Sequence, residues 1–172
     1  MKYFLRRAIA YSIDCLLCYG IIMLVLQWAI LSNLHPLLGI NEEWFQTSLN
    51  VQLYVLLTIS VPVWAYFTYF DSDKSSGTIG KRLMKLSVVD DEDQRLDLQR
   101  SFQRTFLKLL PWEVAHLGVI WPEPIYFADD PNVRIFTIVG LLLLALYAFS
   151  VVLSTKQQSV FDRWLDTTVL SE

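Results

Sequence analysis

The chain has 172 residues, enough for one compact unit and too few for two comfortable domains. It is 54% hydrophobic and only 18% charged, against about 25% charged in a soluble domain, and its mean hydropathy is +0.40, so it reads as an integral membrane protein. The formal net charge of −3 is uninformative about nucleic acid, and with no basic tail to suggest one, no nucleic-acid partner is expected.

About 20 apolar residues cover a hydrocarbon core of about 30 Å, and the first such stretch runs from residue 10 to 34. The Lys2/Arg6/Arg7 start looks like the n-region of a signal peptide. The apolar run is too long for one, however, and no small-x-small cleavage site follows, so this segment is expected to stay in the mature protein. Inside it sits Asp14, an acid that costs about 2.5–3.5 kcal/mol at the centre of a helix in lipid. Arg7, Ala10 and Asp14 are spaced by three and four and share one helical stripe. The two charges lie about 10 Å apart along the axis, and Asp14 leans toward the Arg7 end. That stripe suits a partly hydrated acid facing the bundle, as in ion pathways and proton relays; an aspartate that hydrogen-bonds a neighbouring helix is the structural alternative. Cys15 and Cys18 form a C-x-x-C on one face, but no further cysteine completes a zinc site, so they read as packing residues.

The second expected span, 51–70, holds Pro62 and is expected to kink there. A loop over 71–105 follows. Its GTIGKR stretch has the wrong glycine spacing for a phosphate loop and reads as a turn. KLSVVDDEDQRLDLQ reads as a short β-hairpin around the acidic turn Asp90–Asp93. RSFQRTFLKLLP then reads as an amphipathic helix, with Leu98, Phe102, Phe106 and Leu109 on one face and Arg100, Arg104 and Lys108 on the other. Such a helix is expected in the membrane interface, its basic face toward water and lipid phosphates.

The third expected span, 106–121, is short and carries Lys108, Pro111, Glu113 and His116. Glu113 and His116, at i and i+3, project from one side of a helix and would titrate together in a low dielectric. Carboxylate-bridged metal bundles use the same spacing in two copies with further acids. One copy leaves no metal centre and no cofactor expected. The fourth span, 133–154, is the clearest. In the tail, Asp162 and Asp166 flank Arg163. No order of residues suggests a hydrolase, a zinc peptidase or a nucleotide loop, so no enzyme is expected.

Four spans place Lys2, Arg6 and Arg7, the eight basic residues of the loop region and Lys156 and Arg163 on one side, leaving only Arg134 opposite. The positive-inside rule then puts both termini in the cytoplasm. The expected architecture is an all-α membrane protein. It has four transmembrane helices and a cytoplasmic loop bearing a short hairpin and an amphipathic helix, within one domain over 1–172, multi-pass in the cell (inner) membrane.

Together these residues resemble the RDD family of small integral membrane proteins. The match lies in R-x-x-A-x-x-x-D at Arg7 to Asp14 and in G-K-R-L-x-x-L-x-V-V-D at Gly80 to Asp90. A third block, D-x-x-x-x-T-x-V, runs from Asp162 through Thr167 to Val169. The tail departs from a frequent His-Asp pair, since Phe161 precedes Asp162. The resemblance implies ligand transport, some members being similar to sodium/proton antiporters. With the residue reading, the leading expectation is a monovalent-cation/proton antiporter. In it Asp14 binds Na⁺, K⁺ or Li⁺ in exchange for H⁺, Arg7 tunes the acid, Glu113 and His116 extend the proton route, and Asp162 pairs with Arg7 or another basic residue at the cytoplasmic mouth. A chain this small would work as a homo-oligomer. The alternative is a structural or accessory protein whose buried Arg/Asp network holds the bundle together.

Overall fold

A computed structural model describes residues 2–129 and 132–171. Helix α1 is continuous over Tyr3–Leu38, with π-type winding over Ile21–Leu31. It passes Pro36 and stops at Gly39, whose φ of 68° is the left-handed conformation that ends many helices. Helix α2, Ser48–Asp71, also contains a π-type segment, Leu56–Ser60, directly before Pro62. The wider turn absorbs the hydrogen bond that the proline cannot make.

After α2, Thr78 caps the short helix α3, Ile79–Leu83, accepting from the Lys81 N–H. The GTIGKR stretch is therefore a capped helical turn and not a plain loop. Strand β1, Leu86–Asp90, follows. Helix α4, Leu98–Ile120, is capped by Asp97 and ends at Trp121, before Pro122. Helix α5 covers Ile135–Leu153. Helix α6, Val160–Trp164, opens with a reciprocal capping box between Ser159 and Asp162. Strand β2 is Thr167–Ser171.

Three helices, α1, α2 and α5, are long and apolar enough to cross a membrane. The expected third span is the second half of α4, whose Lys108, Glu113 and His116 keep it out of that class. Helix α4 nevertheless runs antiparallel to α5 along its length. The Tyr147 hydroxyl donates to the Leu107 carbonyl at 3.0 Å, and further along Gly140 packs so closely on α4 that a Cβ there would sit 2.7 Å from the Pro111 carbonyl. At the far end Ser48 donates to the Pro122 carbonyl at 2.6 Å, and Arg134 to that of Trp121 at 2.7 Å.

The expected hairpin does not form. β1 pairs antiparallel with β2 from the tail, Leu86 opposite Ser171 and Asp90 opposite Thr167. The returning segment turns on Asp90, whose carboxylate accepts from the Glu92 and Gln94 N–H groups. Leu96 then makes a lone parallel bridge with Ser72. Because Asp97 commits the chain to helix α4, too few residues remain for a return strand, and the tail supplies the β-branched partner instead. Leu86, Val88, Leu96 and Val169 pack on Ala10 of α1 as a small core. Arg6 reinforces the junction by donating to Ser171 and to the Met84 carbonyl.

Candidate functional site

The start of α1, the end of α2, helix α3, the first half of α4 and the tail meet at one end of the bundle. Three aspartates are buried there: Asp14, Asp71 and Asp162.

Asp14 is 1% exposed and accepts three hydrogen bonds. The Tyr66 hydroxyl donates to Oδ1 at 2.8 Å, the Thr78 hydroxyl to Oδ2 at 2.6 Å, and the Gly80 N–H to Oδ1 at 2.7 Å. Both hydroxyls are themselves committed as acceptors, Tyr66 from the Ile79 N–H at 3.2 Å and Thr78 from the Lys81 N–H at 3.4 Å. The carboxylate therefore binds the N-terminal turn of α3 to α1 and α2. Gly80 is required by this approach, since a Cβ there would run into the Ala10 carbonyl. Ala10 thus makes room for α3, directly against the start of α1.

Asp71 receives Lys81 on Oδ1 and Arg104 on Oδ2 at 3.3 Å, with Lys108 Nζ at 3.7 Å. Asp162 holds two arginines. Arg104 meets its Oδ1 through Nη2 at 2.6 Å and Nε at 3.0 Å, and Arg7 meets its Oδ2 at 2.6 Å. Arg7 also donates to the Gln157 carbonyl at 2.6 Å, and Arg104 lies over the Phe161 ring. The phenylalanine that replaces the resemblance's histidine thus carries a cation on its face. Burial alone would push the Asp162 carboxyl up; Arg104 and Arg7 outweigh it and hold it well below the usual carboxylate range. Burial pushes the Lys81 ammonium down from its ordinary value, with Asp71 pulling it back.

Several expectations change here. Arg7 makes no bond to Asp14 among the described residues; it pairs with Asp162, one of the pairings expected for that acid. The basic face of α4 is inverted. Arg104 is 2% exposed and bridges two acids, and Lys108 is buried against Asp71 and the Phe67 ring. Arg100 ties the Leu165 carbonyl at 3.0 Å and Asp90 at 3.4 Å. Leu98, Phe102 and Phe106 instead face outward, and Leu109 alone of that apolar set is buried. Intramolecular acids hold the cations, so the apolar face is left for the surroundings. Glu113 and His116 lie elsewhere on α4: Ser60 donates to Glu113 at 3.0 Å, and His116 Nδ1 stands 3.8 Å from the same oxygen. Among the described residues no hydrogen bond or ion pair joins this pair to the three aspartates, and no cluster of three or more metal-ligating side chains forms. Cys15 and Cys18 are free thiols.

Sequence reasoning missed Tyr66, Asp71, Thr78 and Lys81. Two signals were present, an acid closing the second apolar run and a Thr three residues before Lys81, in cap position.

Compared with known proteins, the model of the RDD family matches residues 3–166, nearly the whole chain. No curated protein and no solved structure matches it.

Proposed function

This chain belongs to the RDD family, and from that premise we propose that it is a multi-pass membrane protein of structural or accessory role. Its buried Arg/Lys/Asp network locks a cytoplasmic cap onto the helix bundle. The observation that carries this reading is the enclosure of Asp14 by three donors, two of them hydroxyls already engaged by backbone N–H groups. A cation at that carboxylate would need oxygen lone pairs turned toward it, whereas each hydroxyl here points its proton at Asp14 and has one lone pair taken by a backbone N–H. In this reading α4 completes a fourth crossing beside α5. Both termini and the cap face the cytoplasm, in keeping with the distribution of basic residues.

One observation favours the second reading, monovalent-cation/proton antiport at Asp14. A cavity of about 220 Å³ reaches Asp14 and also touches Arg7 and Lys108. Transport would require α3 to release the carboxylate in each cycle, with Glu113 and His116 relaying protons and a homo-oligomer providing the moving interface.

Everted vesicles separate the two. The locking role predicts that adding Na⁺, Li⁺ or K⁺ leaves a preformed pH gradient unchanged by this protein, and that Asp14→Asn lowers the amount of folded chain. Cation-dependent collapse of the gradient, abolished by Asp14→Asn at normal protein levels, would overturn it in favour of antiport.

A further inference from the structure

Lys108 is the one cation of the network without a hydrogen-bond acceptor among the described residues. Its Nζ lies 3.7 Å from Asp71 Oδ2, beyond hydrogen-bonding range, while Lys81 and Arg104 occupy that carboxylate more closely. The ammonium rests 3.3 Å from the centre of the Phe67 ring, which balances charge but accepts none of its three N–H groups through a lone pair. The formal sum agrees. Arg7, Lys81, Arg104 and Lys108 face Asp14, Asp71 and Asp162, leaving one positive charge unmatched. A buried ammonium with free donors gains from an oxygen partner, without which burial favours its neutral form.

The 220 Å³ cavity lies where that partner would be. Lys108 and the paired cations line it together with Phe4 and Tyr11 of α1, Leu144, Ala148 and Val151 of α5, and Phe161. Its wall is therefore hydrocarbon and aromatic apart from a charged floor, where these four cations outnumber the single lining acid, Asp14. Leu144 and Ala148 are both exposed, so the cavity continues onto the outer surface of α5, one of the helices apolar enough to cross a membrane. A soluble inorganic anion would leave these walls unsatisfied, and a neutral hydrocarbon would leave Lys108 so.

We propose that this cleft is a binding site for one anionic amphiphile, its acidic headgroup on Lys108 Nζ and its hydrocarbon along α1 and α5. The shared chemistry is a single carboxylate or phosphate oxygen set joined to an acyl chain. A membrane phospholipid and a free fatty acid both provide it. The site needs only Lys108 and the cleft, and stands whether the network locks or transports.

Native mass spectrometry of the full chain in detergent tests the site, using phosphatidylglycerol, palmitate and phosphatidylcholine as probes. One phosphatidylglycerol or one palmitate per chain is expected to be retained, with phosphatidylcholine retained at least tenfold less. Retention of phosphatidylglycerol alone assigns a phospholipid, and retention of palmitate alone a fatty acid; either supports the site. Lys108→Gln is expected to weaken retention at least tenfold. Ala148→Phe, which fills the apolar wall and touches no charge, is expected to do the same, and it decides the matter if Lys108→Gln fails to fold. Equal retention of phosphatidylcholine, retention of no acidic probe, or unchanged retention in Ala148→Phe would overturn the proposal.

Discussion

Two sets of polar residues sit among the apolar helices, and the structure treats them in opposite ways. At one end, Asp14, Asp71 and Asp162 are each met by two or more donors from distant segments. Along the second half of α4, Glu113 has one hydroxyl donor, and His116 Nδ1 is buried with no hydrogen bond. In sequence both sets are acid-bearing interruptions of a membrane-like run. The count of partners tells them apart. An acid enclosed by well-aimed donors is a fixed joint, because moving it leaves several buried groups unpaired at once. A pair with few partners can shift without leaving several buried groups unpaired.

The sharpest way to break this comparison is at Arg104, which serves two of the three aspartates. Arg104→Met would take one cation from both Asp71 and Asp162, leaving them Lys81 and Arg7, and removing one partner of a buried ion pair costs about 3–5 kcal/mol. Size-exclusion chromatography in detergent should show little folded chain; a normal yield would mean that the joint is dispensable.

Gly80→Ala comes next. Its Cβ would force α3 off the Ala10 carbonyl, and overpacking of this kind costs about 1–3 kcal/mol. Thermal unfolding should report a lowered midpoint.

Asp14→Asn retains the shape but sets an amide where three donors converge. An unsatisfied buried donor costs about 1–3 kcal/mol, so the folded fraction should fall more than for any change at Glu113. Glu113→Gln and His116→Ala close the series, each expected to cost no more than about 1 kcal/mol, since a single hydrogen bond is at stake. A loss at Glu113 as large as that at Asp14 would erase the distinction between the two regions.

Much of the frame was legible in the sequence. Apolar runs mark the three helices that are long enough to cross a membrane, and the Arg7, Asp14 and Asp162 pattern marks the family. The partners of these residues were harder to read. The 3.6-residue period shows that Arg104 and Phe102 lie on different faces of α4, but it does not say which face turns inward. In water the apolar face would; against lipid, either can, and the choice falls to Asp71 and Asp162, 33 and 58 residues away in the chain. The same limit hid β2. The strand character of residues 86–90 was visible, yet its partner lies in a tail that carries no turn signal linking the two. For Asp14, the arginine on its own helical stripe looked like the nearest partner. The true ones are a tyrosine one helix away and the cap of a helix only five residues long.

The central claim is that Asp14 and the cap of α3 act as one joint. A double-mutant cycle measures it directly, comparing thermal unfolding in detergent for the native chain, Asp14→Asn, Thr78→Val and the two combined. Contacting groups in one network couple by about 0.5–3 kcal/mol, and the joint predicts a coupling in that range, with the double variant losing less than the two single losses added. Strict additivity of the two losses would show that Asp14 and Thr78 act independently, and would contradict the account.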